Sequence, residues 1–120
     1  GHTDLLIIQM DQLTNRHGTG RAEHYLHLVQ NNMKSEGNWI GLHMDPGTNP
    51  VGSMVTVRAG GKKQTLPVVT GDSYSAQHPL SFHFGLGKIK MVDELLVEKF
   101  GRELIRFSKP DINRYHRAKP

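Results

Sequence analysis

The 120 residues contain no cysteine. That removes disulfide frameworks, zinc-thiolate sites and thiol catalysis. It names no compartment, because exported and cytosolic chains alike do without cysteine. No apolar run approaches the roughly 20 residues that a membrane-spanning helix requires, so no membrane span is expected. The chain opens on polar Gly1-His2-Thr3-Asp4, with neither an initiator methionine nor a signal-peptide pattern. It is therefore read as a processed chain or as a piece of something longer. No internal repeat or low-complexity tract is visible. The serines at 73, 75 and 81 have no G-x-S-x-G elbow around them, and Gly85-Leu86-Gly87 is not followed by a phosphate-loop pattern.

What is present points to compact β structure. The length suits one domain, which buries about two-thirds of its unfolded surface. Hydrophobic residues make up 36% and charged residues 22% of the chain, enough for a core without the polarity of a disordered segment. Glycine is abundant, at 13 residues, which implies many turns and hence many short strands. The formal charge is +4 with a pI near 9.6. That favours solubility and acidic partners but says nothing about fold. Eight histidines add positive charge at low pH.

Residues 4–10, DLLIIQM, read as a short buried strand, and residues 24–30 as a second, with a polar, glycine-bearing loop between them. The two are expected to pair antiparallel. A third strand covers residues 39–44 and ends at Asp45-Pro46-Gly47, a turn signal. Residues 52–59 alternate, with Met54, Thr56 and Arg58 on one face and Val55, Val57 and Ala59 on the other. Gly60-Gly61 then makes a tight hairpin to residues 62–69, since both central positions tolerate positive φ. In residues 80–86, Phe82, Phe84 and Leu86 alternate with Ser81, His83 and Gly85. Phe84 and Leu86 are expected in the core. Gly85 and Gly87 are expected to hold conformations or close approaches that a side chain spoils. Residues 91–100 admit a helical reading through Val92, Leu95 and Leu96, but it lasts under three turns. A hairpin around Gly101 with residues 102–107 is expected instead. From Lys109 the tail is basic, with Ile112 and Tyr115 as anchors, and is expected to be a solvated terminus. About eight short strands separated by glycine turns make an all-β fold, a sandwich or a barrel.

Several blocks, taken in order, resemble the ASPIC/UnbV domain. They are Asn38-Trp39-Ile40-Gly41-Leu42, then Asn49 through Val57, then Gly60-Gly61-Lys62-Lys63-Gln64-Thr65. Tyr74-Ser75-Ala76-Gln77 and the specific His83-Phe84-Gly85-Leu86-Gly87 follow, with Val92-Asp93 and Gly101 where the family places its closing hairpin. The resemblance spans roughly residues 38–107. Ser53 stands where the family usually has alanine, and Lys99-Phe100-Gly101 where it usually has Trp-Pro-x-Gly. The resemblance implies an antiparallel β-sandwich of about seven to eight short strands. It also implies a position after a propeller of FG-GAP/VCBS repeats in an exported protein of the cartilage acidic type. Gly1 to Leu5 resembles the end of a repeat's calcium loop, and residues 24–32 resemble a last propeller strand. The expected organisation is therefore a partial propeller blade at 1–32 and the sandwich at 33–120.

Candidate chemistry is sparse. His83 faces opposite to Phe82 and Phe84, as a surface contact, a titrating group or a structural histidine. Tyr74, Gln77 and His83 are the candidate binding residues. His24 and His27, three apart on a strand, point to opposite faces, which defeats chelation. Asp4 is one carboxylate of an incomplete calcium loop. No metal site and no cofactor are expected. Glu98 and Glu103 flank a hairpin as cross-strand neighbours, while Asp93 and Glu94 are adjacent and diverge. Surface charge explains both pairs better than glycoside chemistry does.

The expected function is a non-catalytic accessory or interaction module of an extracellular or periplasmic protein. Its partner would be a protein or glycan surface, or another chain that completes the N-terminal strands. One alternative is a carbohydrate-active or hydrolase-like site around Tyr74, His78 and His83. Another is nucleic-acid binding through the basic tail, against which stands the lack of a recognisable nucleic-acid fold.

Overall fold

A computed structural model describes residues 4–12, 22–32, 37–71 and 77–118 of the chain. It divides into two compact units, Gly1–Ser35 and Glu36–Pro120. In the first, β1 (Leu5–Gln12) pairs antiparallel with β2 (Ala22–Val29), Leu5 opposite Val29. The carboxylate of Asp4 accepts the Asn31 N–H at 2.9 Å, closing the open end of the pair. Leu5, Leu6 and Ile7 are consecutive and all exposed, as are Leu26, Leu28 and Val29. Successive strand residues point to opposite faces, so both faces of this pair present apolar surface.

The second unit is two layers of strands. β3 (Asn38–Met44), β6 (Ser81–Gly87) and β9 (Tyr115–Ala118) form one sheet in the order β6-β3-β9. β4 (Ser53–Ala59), β5 (Lys62–Pro67), β7 (Glu94–Lys99) and β8 (Arg102–Ser108) form the other in the order β5-β4-β7-β8. Alternation decides what lies between them. Ile40, Leu42, Phe82, Phe84 and Leu86 point inward from the first sheet, and Val55, Val57, Leu95 and Val97 from the second. Phe84 and Leu86 are buried as their alternation predicts. Pairing is antiparallel except that β9 runs parallel to β3. Among the described residues no helix is long and apolar enough to cross a membrane.

The solvated tail expected from composition is not what forms. Asn113, in the left-handed region at φ 59°, accepts the Trp39 N–H through its side-chain oxygen at 3.1 Å. It also donates its own backbone N–H to the Trp39 carbonyl at 2.6 Å and its amide to Asn38 Oδ1 at 3.0 Å. Ile112 packs against the core and Ala118 is buried. This clamp delivers the last residues to β3 as a strand. Gly87 has a φ of 59°, as expected of a position closed to side chains. Gly85 does not: its φ is not positive and open space lies above it. A glycine there is permitted by the strand, not demanded by it.

On the outer face of the four-stranded sheet, Glu94 is bridged by Arg58 at 2.9 Å and by Arg106. Arg106 also binds Glu103 at 2.6 Å, and that hydrogen bond holds the Glu103 carboxyl below its ordinary value. Leu96, opposite Arg106 in the register, is buried although it points away from the core. Glu98 and Glu103 are cross-strand partners, as expected. Ser53 Oγ is buried with no hydrogen-bond partner among the described residues.

The two hairpins of this sheet obey the same turn rule with different residues. Gly60 and Gly61 have φ of 56° and 73°; Phe100 and Gly101 have 51° and 74°. Two-residue hairpin turns of this type favour Asn or Gly at the first central position. Phe100 instead bears a ring that is 89% exposed. Phe100→Asn should therefore raise stability by about 1 kcal/mol, because asparagine tolerates the left-handed region. Thermal melts check this: a lower melting temperature would show that the Phe100 ring supports the turn.

Candidate functional site

Outward-facing positions of the three-stranded sheet hold Trp39, Gly41 and His43 on β3. On β6 they hold Ser81, His83 and Gly85, and on β9 Tyr115 and Arg117. Register brings Gly41 opposite His83 on one side and opposite Tyr115 on the other. Gly41 has no side chain, so the two neighbours meet above it. His83 Nδ1 and the Tyr115 hydroxyl are 3.2 Å apart, across the width of β3.

Four rings form a row around that gap. Trp39 and His83 stack with centroids 4.8 Å apart and planes at 23°. His43 and Tyr115 stack at 4.3 Å and 21°. Trp39 meets Tyr115 at 5.0 Å in a tilted contact. Aromatic pairs at such separations contribute about 0.5–1.5 kcal/mol beyond the area they bury. The row is rigid yet not sealed: Tyr115 is 38% exposed, and Trp39, His43 and His83 are half-buried.

Hydrogen bonds fix two ring orientations. His43 Nδ1 lies 2.7 Å from Ser81 Oγ, its partner across the β3–β6 pair. His83 Nδ1 is held by Tyr115. Partial burial depresses the His83 pKa below the ordinary imidazole range, because desolvation penalises the charged ring. The Ser81–His43 pair has the distance of a nucleophile and its base. Nucleophilic chemistry also needs a group orienting the base and donors for an oxyanion. Among the described residues no side chain hydrogen-bonds the Nε2 of His43.

Two open clefts flank His43. One is lined by His43, Asp45, Pro46 and Arg117 and has a volume of about 330 Å³. The other is lined by His43, Gln77, His78, Pro79 and Ser81. The structure thus brings Gln77 and His78 to one end of the surface and puts His83 in the row. Tyr74 lies outside the described residues. Asp45 turns one carboxylate oxygen onto its own loop, accepting the Gly47 N–H at 2.8 Å. Among the described residues no group of three or more His, Asp or Glu side chains is placed to hold a metal ion. Trp39, His43 and Tyr115 escaped the sequence reading as site residues. Each sits in its own strand, and only the register unites them. The one local hint was Tyr115, a lone aromatic in a basic tail.

Gly41→Ala tests the organisation of the row. The new Cβ would fall 2.1 Å from Tyr115 Cδ1 and 2.3 Å from Cε1. The ring must leave, and stability should drop by about 1–3 kcal/mol. Trp39, the sole tryptophan, should report the change in its emission spectrum. An unchanged spectrum and melt would show that Tyr115 does not rest on Gly41.

The His83 shift predicts a pH dependence. Its folded pKa lies below the unfolded one, so the unfolded chain takes up the proton first. The contribution is intact above the ordinary imidazole range and is lost as pH falls through it toward the folded value. The melting temperature should fall between about pH 7 and pH 5, and His83→Gln should flatten part of that slope. Equal slopes in the two proteins would remove His83 as a source.

The model of one family, described as ASPIC and UnbV, matches residues 45–116. The match begins just after β3 and reaches into β9, so it includes His83 and Tyr115 but not Trp39, Gly41 or His43. Comparisons with curated proteins and with solved structures find no match. On a match that covers more than half of its length, this chain belongs to the ASPIC and UnbV family.

Proposed function

We propose that this domain is a non-catalytic recognition module that binds carbohydrate through the ring row on its three-stranded sheet. One observation carries the reading. Trp39, His43, His83 and Tyr115 converge on the outer face with centroids 4.3–6.0 Å apart. That face has no aliphatic side chain at its outward positions: glycine, serine and arginine complete it. Protein-binding surfaces concentrate apolar contact at their core and exclude water there. This surface instead offers ring faces and edges beside hydroxyl, imidazole and indole hydrogen-bonding groups. Such a mixture suits a ligand that alternates C–H patches with hydroxyls. Held rigid by stacking, the rings lose little entropy on binding.

The module is proposed to work in an exported protein, extracellular or periplasmic, as the family resemblance implies. The β1–β2 pair favours a second contact of a different kind. Apolar side chains exposed on both faces are a liability in water, and a lone strand pair is marginal by itself. Further strands of the same blade type, from this protein or another chain, would cover them.

Quenching or enhancement of Trp39 fluorescence on titration with a panel of oligosaccharides tests the first reading. At least one should give saturable binding, and Tyr115→Ala should weaken it by about tenfold or more. If no member of the panel perturbs Trp39, the carbohydrate reading falls. If a protein ligand alone perturbs it, with the same dependence on Tyr115, the surface is a protein-binding site.

A further inference from the structure

We infer that the ligand of this face is an extended, acidic oligosaccharide that lies along the β3 direction with a carboxylate or sulfate at Arg117. The inference rests on the carbohydrate reading above and narrows it to a class.

Length comes first. Trp39 and His43 are four residues apart on one strand, so the row alone extends about 13 Å at the usual rise per residue. Beyond His43 the surface does not end. The two clefts continue it on either side, one along β9 to Arg117 and one along the approach to β6 at Gln77 and His78. One sugar ring occupies only a fraction of such a strip. A site of this shape takes several consecutive units, and among the described residues no closed end demands a chain terminus.

Charge comes second. Arg117 is the only charged side chain at the outward positions of the sheet, and register sets it directly opposite His43. Among the described residues it makes no ion pair, whereas Arg58, Arg106 and Arg114 each have a carboxylate partner. Asp45 shares the cleft, but one of its oxygens caps its own loop. An arginine with no carboxylate partner among the described residues is a fork of donors suited to a planar carboxylate or a sulfate. Near it stand the imidazole of His43 and, in the adjoining cleft, that of His78. A single cation engages one acidic group of the ligand, whereas the run of phosphates in a nucleic acid calls for a basic track.

The test uses the full chain and the fluorescence of Trp39. The probes are a linear tetrasaccharide of galacturonic acid, the neutral galactose tetrasaccharide of the same linkage, galacturonic acid itself, a sulfated galactose tetrasaccharide and a single-stranded oligonucleotide. An acidic tetrasaccharide should bind about tenfold or more tightly than the neutral one, and more tightly than the monosaccharide. Arg117→Ala should erase the preference for acid, and Arg117→Lys should recover only part of it. Residue 117 is exposed on an edge strand, and melts of each variant show whether the fold survives. Equal affinity for acidic and neutral tetrasaccharides overturns this inference and leaves the carbohydrate reading standing. Equal affinity for monomer and tetramer overturns the extended site. No response to any saccharide overturns both, and a stronger, Arg117-dependent response to the oligonucleotide replaces both with nucleic-acid recognition.

Discussion

The outer face of the three-stranded sheet is organised by one missing side chain. Residue 41 stands between β6 and β9 in the register, and with any Cβ there the Tyr115 ring has no place to lie. Without that ring over β3, the His83–Tyr115 hydrogen bond has no path across the strand, and His43 and Trp39 lose the partner between them. The row is thus a consequence of close packing on a pleated surface, where the volume left empty by glycine is filled by a neighbour's ring. The same residue helps hold β9, since the Gly41 N–H donates to the Arg114 carbonyl at 3.0 Å.

The opposite layer plays a different part. Its outward face is covered by charged arms that tie β4, β7 and β8 together, with Arg106 shared between Glu94 and Glu103. Exposed pairs of this kind add little stability each. Leu96, opposite Arg106 on that face, is buried. The carboxylates of Glu94 and Glu103 are engaged in spanning strands. One sheet of the sandwich ties Arg58, Glu94, Glu103 and Arg106 together in place. The other leaves a single arginine and several rings without such closure, and that contrast marks the face proposed for recognition.

Much of the layer structure was legible in the chain. Phe82, Phe84 and Leu86 announce an inward face because a strand's side chains alternate whatever it pairs with. Gly60-Gly61 announces a hairpin because few residues accept positive φ twice in succession. The second hairpin was legible from Gly101 alone, although Phe100 breaks the usual choice for the first position. Gly85 was misread, since a glycine in a strand signals freedom without saying whether it is used. Residues 109–118 were misread as a solvated terminus, since composition there is polar and the clamp that recruits them is a single asparagine.

The sequence by itself determined where β1 to β8 run, which faces of the sandwich strands are apolar, where two-residue turns fall, and the family to which the chain belongs. Each of these is a local property, set by alternation, φ tolerance or a short ordered motif. Tertiary structure alone decided that Trp39, His43, His83 and Tyr115 share one surface, and that Gln77 and His78 border it. Those residues lie up to 76 positions apart, and they are joined only by strand register and by the parallel return of β9. Register is settled by burial summed over whole strands and by long-range backbone hydrogen bonds. No window of the sequence contains that sum.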